Sequence, residues 1–159
     1  MRYFLIDKIS HFEAGKTATG IKCISLADDV FNDHFPDYPI LPGALIIEAM
    51  AQLSGFLAEM SINTDPSQVV RRALLAQVDK VKFIEPCHPG ECLTLQAELV
   101  SLNKDAARIT IDAGVAQQRK AQGTLSMVLH TNNTDKLHNH RRDLYRIWTR
   151  ELANCPTIP

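Results

Sequence analysis

The sequence predicts an α+β fold in which one long, buried helix is wrapped by a curved antiparallel sheet. Two observations predict it. Residues 43–60, GALIIEAMAQLSGFLAEM, are apolar on nearly every helical face, so other parts of the chain must surround them. The second half of the chain then alternates apolar and polar residues between turn-forming stretches, the pattern of strands with one face on a core.

Two short extended patches come first, Tyr3–Ile9 and Gly20–Leu26, and the polar stretch HFEAGKT between them suits a turn. A proline-rich loop, Asp28–Pro42, leads into the helix. Pro42 suits the first helical turn, where its missing N–H has no partner to lose, and Asn63, Asp65 and Pro66 stop the helix. The apolar stretch is about long enough to span a bilayer, but Glu48, Gln52 and Glu59 interrupt it, which favours a core helix and no membrane partner. Val69–Phe83 is strand-compatible. Leu93, Leu95, Ala97 and Leu99 alternate with Thr94, Gln96 and Glu98, and Ile109 and Ile111 alternate within Arg108–Asp112. Asn103-Lys104-Asp105 and Gln117–Lys120 suit turns, and Thr124–Leu129 completes the meander. Beyond His130 the polar run HTNNTDKLHNHRR reads as loop, and DLYRIWTRELA as a short amphipathic helix through Leu144, Ile147, Trp148 and Leu152. The expected organisation is one domain over residues 1–130 and a loop-plus-helix tail over 131–159.

Bulk properties narrow the function. A chain of 159 residues fits one domain, and 45% hydrophobic with 22% charged residues is ordinary globular composition. A net charge of −1 offers no basic excess for nucleic acid or an anionic membrane. Asp7 breaks the first apolar run too early for a secretory signal, so a cytoplasmic location is expected. The four cysteines, Cys23, Cys87, Cys92 and Cys155, form no C-x-x-C pair. Cys87 and Cys92 flank His88 in CHPGEC, but no second ligand pair stands at zinc-like spacing, and His138-x-His140 stands alone. Reduced thiols and no metal or cofactor are therefore expected.

Two features carry chemistry. Glu48 lies inside the apolar helix, and a carboxylate is almost never fully buried without a partner. Glu48, Gln52, Gly55 and Glu59 fall at i, i+4, i+7 and i+11, one polar or small stripe on a greasy cylinder. Gln52 is placed to hydrogen-bond Glu48, and the alternative is a solvent-facing stripe. The second feature is the loop DHFPDYPILPG, whose three prolines within seven residues hold it in a narrow set of conformations, with a cis peptide among the options. It carries His34, the side chain best suited to proton transfer near neutral pH. Gly43 opens the helix, where a backbone N–H without a helical partner can polarise a carbonyl. A base, an acid and an oxyanion donor are what dehydration of a 3-hydroxyacyl thioester needs, although residue chemistry alone does not choose this over other acid–base reactions.

The segment HFPDYPILPGALIIEAMAQL resembles the signature of the FabZ-type 3-hydroxyacyl-acyl carrier protein dehydratases, H-F-P-x-x-P-x-x-P-G-x-x-x-x-E. YFLIDKI is similar to that family's opening strand, and VDKVKFIEPCHPGECL to its strand, Pro-Gly turn and next strand, so the resemblance covers about residues 3–130. It implies a hotdog fold and conversion of (3R)-3-hydroxyacyl-acyl carrier protein to the trans-2-enoyl thioester in fatty acid or related acyl-chain biosynthesis. It implies a homodimer, in some members a hexamer, whose sites each join His34 of one subunit to Glu48 of the other. His34 is then the base and Glu48 the acid, Ile40 orients the imidazole through its carbonyl, Gly43 binds the thioester carbonyl, and Gln52 completes the substrate-binding set. The chain departs from the family in carrying Asp33 where Gly commonly precedes the His, and in its longer tail. Two other readings stay open: a hotdog acyl thioesterase, whose class generally lacks the HFP…PG loop, and a non-catalytic acyl-thioester-binding subunit.

Overall fold

A computed structural model describes residues 3–131, 134–154 and 156–159. The chain folds as β1 (Lys8–Glu13), β2 (Thr17–Cys23), a 3-10 turn (Asp29–Asn32), α1 (Gly43–Ile62), β3 (Arg71–Phe83), β4 (Cys92–Leu102), β5 (Ala106–Val115), β6 (Gln118–Thr131) and α2 (Asp135–Thr149). All six strands form one antiparallel sheet in the order β1-β2-β4-β5-β6-β3. Consecutive strands β4, β5 and β6 are hairpin neighbours, while β3 crosses over to the far edge beside β6.

The core lies where α1 meets the concave face of this sheet. Leu53, Phe56 and Leu57 of the helix and Leu93, Leu95, Ile109 and Leu125 of the strands have no exposed surface. Burying an aliphatic or aromatic side chain of this size contributes about 1.5–3 kcal/mol, which is why the all-round apolar helix and the alternating strands require one another. By length and hydropathy α1 resembles a membrane span, but 72% of its apolar window is buried inside the protein, as in a core helix.

The opening strands differ in register from the sequence expectation. The turn falls at Ala14–Lys16, where Gly15 takes φ +73°, and His11–Glu13 belong to β1. Tyr3–Leu5 make no ladder; Leu5 N–H donates instead to Gln52 Oε1 (3.0 Å) on α1. The tail also differs. Helix α2 already starts at Asp135, so most of the run read as loop is its first two turns, exposed at Asn139 and His140 and half-buried at Leu137, His138 and Arg141. Of the expected apolar face Trp148 is buried but Ile147 is exposed, and Tyr145 is buried in its stead; the Tyr145 and Trp148 rings pack against Phe56 of α1 at centroid distances of 5.0 and 6.3 Å. The tail thus covers the side of α1 that the sheet leaves open.

Candidate active site

The His34 loop is rigid because its backbone closes on itself. His34 N–H donates to Val30 O (3.1 Å) in the 3-10 turn, whose Phe31 is buried as an anchor. Ile40 N–H donates to His34 O (3.1 Å), and Phe35 and Tyr38 exchange two backbone bonds between them. Leu41 N–H to Cys87 O (2.8 Å) and His88 Nδ1–H to Pro39 O (3.1 Å) tie the loop to the Pro-Gly turn before β4. The cis peptide bond lies between His34 and Phe35 rather than before a proline.

The imidazole of His34 is held in one tautomer. Its Nδ1 stands 2.9 Å from the Ile40 carbonyl. A carbonyl only accepts, so Nδ1 carries the proton and the neutral ring keeps its lone pair on Nε2. His34 opens on a cavity of about 480 Å³ lined also by Ile40, Gly43, Ile46, the last β3 residue Phe83 and the following Ile84. Gly43 is the first residue of α1, where the backbone N–H has no helical partner. A Cβ at this position would stand 2.8–3.2 Å from the Phe83 ring, so only glycine leaves helix end and ring this close.

Glu48 lies elsewhere on the helix and is absent from that cavity's lining. Its Oε1 accepts a hydrogen bond from Gln52 Nε2 (2.9 Å). The same amide nitrogen donates to Tyr3 O (2.9 Å), and the Gln52 oxygen accepts from Leu5 N–H. Gln52 therefore spends its amide on aiming Glu48 and fastening the N-terminal segment to α1. The sequence places Gln52 among the substrate contacts; in the structure its amide bonds Glu48, Tyr3 and Leu5.

The stripe along α1 is not solvent-facing. Gly55 and Glu59 are buried, and Glu59 Oε2 pairs with Arg72 (2.8 Å) while Oε1 accepts Ala73 N–H (2.9 Å). Arg72 Nε donates to His138 Nδ1 (3.1 Å) of α2. Sequence reasoning missed one neighbour of this stripe, Arg141, because it falls in the run read as loop. Burial opposes charge on its guanidinium, but Tyr145, Glu59 and Glu48 outweigh burial and keep it firmly cationic. In CHPGEC, Cys87 is buried while Cys92 is exposed, and among the described residues no three His, Cys, Asp or Glu side chains group as metal ligands.

Comparison with known proteins adds to this geometry. The family model of the FabA-like domain matches residues 1–121. The 3-hydroxyacyl-[acyl-carrier-protein] dehydratase FabZ of Clostridioides difficile is 36% identical over 127 residues, covering 80% of this chain and 87% of that protein. The corresponding enzyme of Syntrophotalea carbinolica is 35% identical over 133 residues, covering 84% and 88%. Among solved structures, smu.793 from Streptococcus mutans, bound to acetyl CoA, superposes with a TM-score of 0.64 at 16% identity, covering 84% of this chain and 96% of that one. The PaaI protein of E. coli gives 0.57 at 13% identity, covering 76% and 81%. At these identities the structural likeness establishes the hotdog fold alone.

Proposed function

The chain belongs to the FabA-like dehydratase family, and we propose that it dehydrates 3-hydroxyacyl thioesters carried on acyl carrier protein, yielding the trans-2-enoyl thioester in acyl-chain biosynthesis. The observation that carries the mechanism is the His34–Ile40 hydrogen bond, which leaves Nε2 as a free base in a cavity that the α1 N-terminus also lines. Nε2 of His34 takes the C2 proton. The negative charge that develops on the thioester oxygen is stabilised by the Gly43 N–H at the positive end of the helix. The Glu48 carboxylic acid protonates the departing C3 hydroxyl, so C2–H and C3–O break, C2=C3 forms and water leaves. Ile40 acts by fixing the imidazole and Gln52 by fixing the carboxyl.

Glu48 reaches the reaction from a second copy of the chain. Two features support this reading: Glu48 is missing from the cavity of its own His34, and β3 is a thirteen-residue edge strand with exposed Leu74, Leu75 and Val78. An edge of that length with apolar side chains is a template for pairing with another strand, and a second β3 would meet it antiparallel about a twofold axis. The proposed working unit is a cytoplasmic homodimer. Its test is enoyl formation from 3-hydroxyacyl-acyl carrier protein substrates. The wild type should turn over, and His34→Ala or Glu48→Gln should lower kcat by roughly 10²- to 10⁴-fold, the usual worth of general acid–base catalysis. Near-normal turnover by either variant would remove that residue from the mechanism.

A further inference from the structure

Cys23 ends β2 and Cys92 opens β4, and the two residues face each other in the register of that ladder. Their place in the hydrogen-bond alternation is defined by their neighbours. Ile24 N–H donates to Glu91 O (2.9 Å) and, at the other end of the ladder, Leu99 N–H donates to Lys16 O (2.7 Å), so 24/91 and 16/99 both mark the hydrogen-bonding positions of the alternation. The adjacent pair, Cys23 and Cys92, is then the non-hydrogen-bonded kind, in which Cα atoms approach to about 4.5 Å and side chains lie closest. Cys23 N–H agrees, because it turns away from β4 to donate to Asp7 Oδ2 (2.7 Å). Such a pair falls inside the Cα range that a disulfide accepts, about 4.4–6.8 Å. Both residues are exposed, and the neighbouring Cys92 thiol, then burial, raises the Cys23 thiol above its ordinary value. Cys87, five residues before Cys92, offers a contrast: it is buried, and burial pushes its thiol up to about 11.

We propose that Cys23 and Cys92 form a reversible redox staple, a surface dithiol that closes to a cross-strand disulfide in the native sheet without rearrangement of the strands. A small-molecule disulfide such as oxidised glutathione is the co-reactant. Either thiolate attacks it, forming a mixed disulfide and releasing one thiolate. The second cysteine then loses its proton and attacks the protein sulfur of that mixed disulfide, releasing the other. The protein gives up two electrons and two protons, and one disulfide is reduced to two thiols. The staple stands where both strands leave the sheet toward the His34 loop. Glu91 accepts the His88 N–H (2.8 Å), and His88 in turn holds Pro39 of that loop. A dithiol there links the redox state of the surroundings to the footing of the catalytic loop.

The test equilibrates the full-length protein in glutathione buffers of rising oxidised fraction, followed by acid quenching, alkylation and peptide mapping. Three results are expected: one intramolecular Cys23–Cys92 link with the loss of two hydrogens, Cys87 still alkylated as a free thiol, and full reversal by a dithiol reductant. Because the link closes a loop of about 70 residues, the oxidised form should melt roughly 5–10 °C higher. Cys23→Ser should abolish both link and shift. Separate glutathionylation of the two cysteines, pairing of either with Cys155, or free thiols in fully oxidised buffer would overturn the proposal. A link that fails to raise Tm would overturn it too, since closure would then distort the sheet.

Discussion

At the residue scale the proposed chemistry rests on atoms that fix other atoms. His34 offers Nε2 because the Ile40 carbonyl accepts a hydrogen bond from Nδ1–H, and Gln52 Nε2 donates to the Glu48 carboxyl. Gln52→Leu keeps the volume but strands Leu5 N–H and Tyr3 O as well as freeing the carboxyl. It should destabilise the fold by about 1–3 kcal/mol. It should also lower kcat roughly 10- to 100-fold with little change in KM, because a misplaced acid slows the step without weakening binding. Unchanged kcat in steady-state assays would separate Gln52 from the acid. The Glu48–Gln52 contact was legible in the four-residue spacing, and the position of Gly43 at the helix start in the Pro-Gly pair. The Phe83 ring against Gly43 was not legible, because it joins residues forty positions apart across the sheet edge. Cys87 gives a residue-scale pH prediction. Below pH 9 the folded and unfolded states both hold its proton. Between pH 9 and about 11 only the folded state does, so its contribution to stability falls as pH rises through that window. The urea-unfolding free energy should drop by about 1.4 kcal/mol per pH unit there, beyond the drop of Cys87→Ala. Tyr145, held well above its ordinary value by burial and then by Glu59, steepens both curves above pH 10, so the difference between them isolates Cys87. Parallel curves would show that Cys87 titrates alike in both states.

At the element scale the informative piece is the stripe on α1. Its spacing was plain in the sequence, but what covers it was not, since the covering residues come from β3 and from a tail whose polar letters resemble loop. Helix α2 shows why that run misleads. Asn139 and His140 are exposed on its outer face, while Tyr145 and Trp148 reach the core, so averaging along the sequence hides a one-sided helix. The Glu59–Arg72 pair joins α1, β3 and α2, since Arg72 also donates to His138 and to Pro159 O. Arg72→Met leaves the Glu59 carboxylate buried without its cation and should cost about 3–5 kcal/mol. The double variant Arg72→Met with Glu59→Leu removes both charges and should recover much of that loss. Denaturant midpoints of the two proteins decide it. A double variant as unstable as the single would mean that Arg72 matters for packing and its α2 contacts rather than for the buried charge.

At the scale of the whole molecule, the helix-in-sheet architecture was readable because α1 is apolar on nearly every side while β4 and β5 alternate with a period of two. Strand order was not, because placing β3 beside β6 depends on a crossover that no local pattern encodes. The proposed composite site rests on that order: β3 lies at the sheet edge, and its last residue Phe83 and the following Ile84 line the His34 cavity. The account's central claim is that one active site draws His34 from one chain and Glu48 from another. Subunit mixing tests it most directly. Inactive His34→Ala and inactive Glu48→Gln proteins are exchanged in equal amounts, exchange is verified by native mass spectrometry, and enoyl formation is measured. Random twofold pairing gives half heterodimers with one intact site of two, so about a quarter of wild-type activity should return. No recovery despite demonstrated heterodimers would put both residues in a single chain's site and contradict the account.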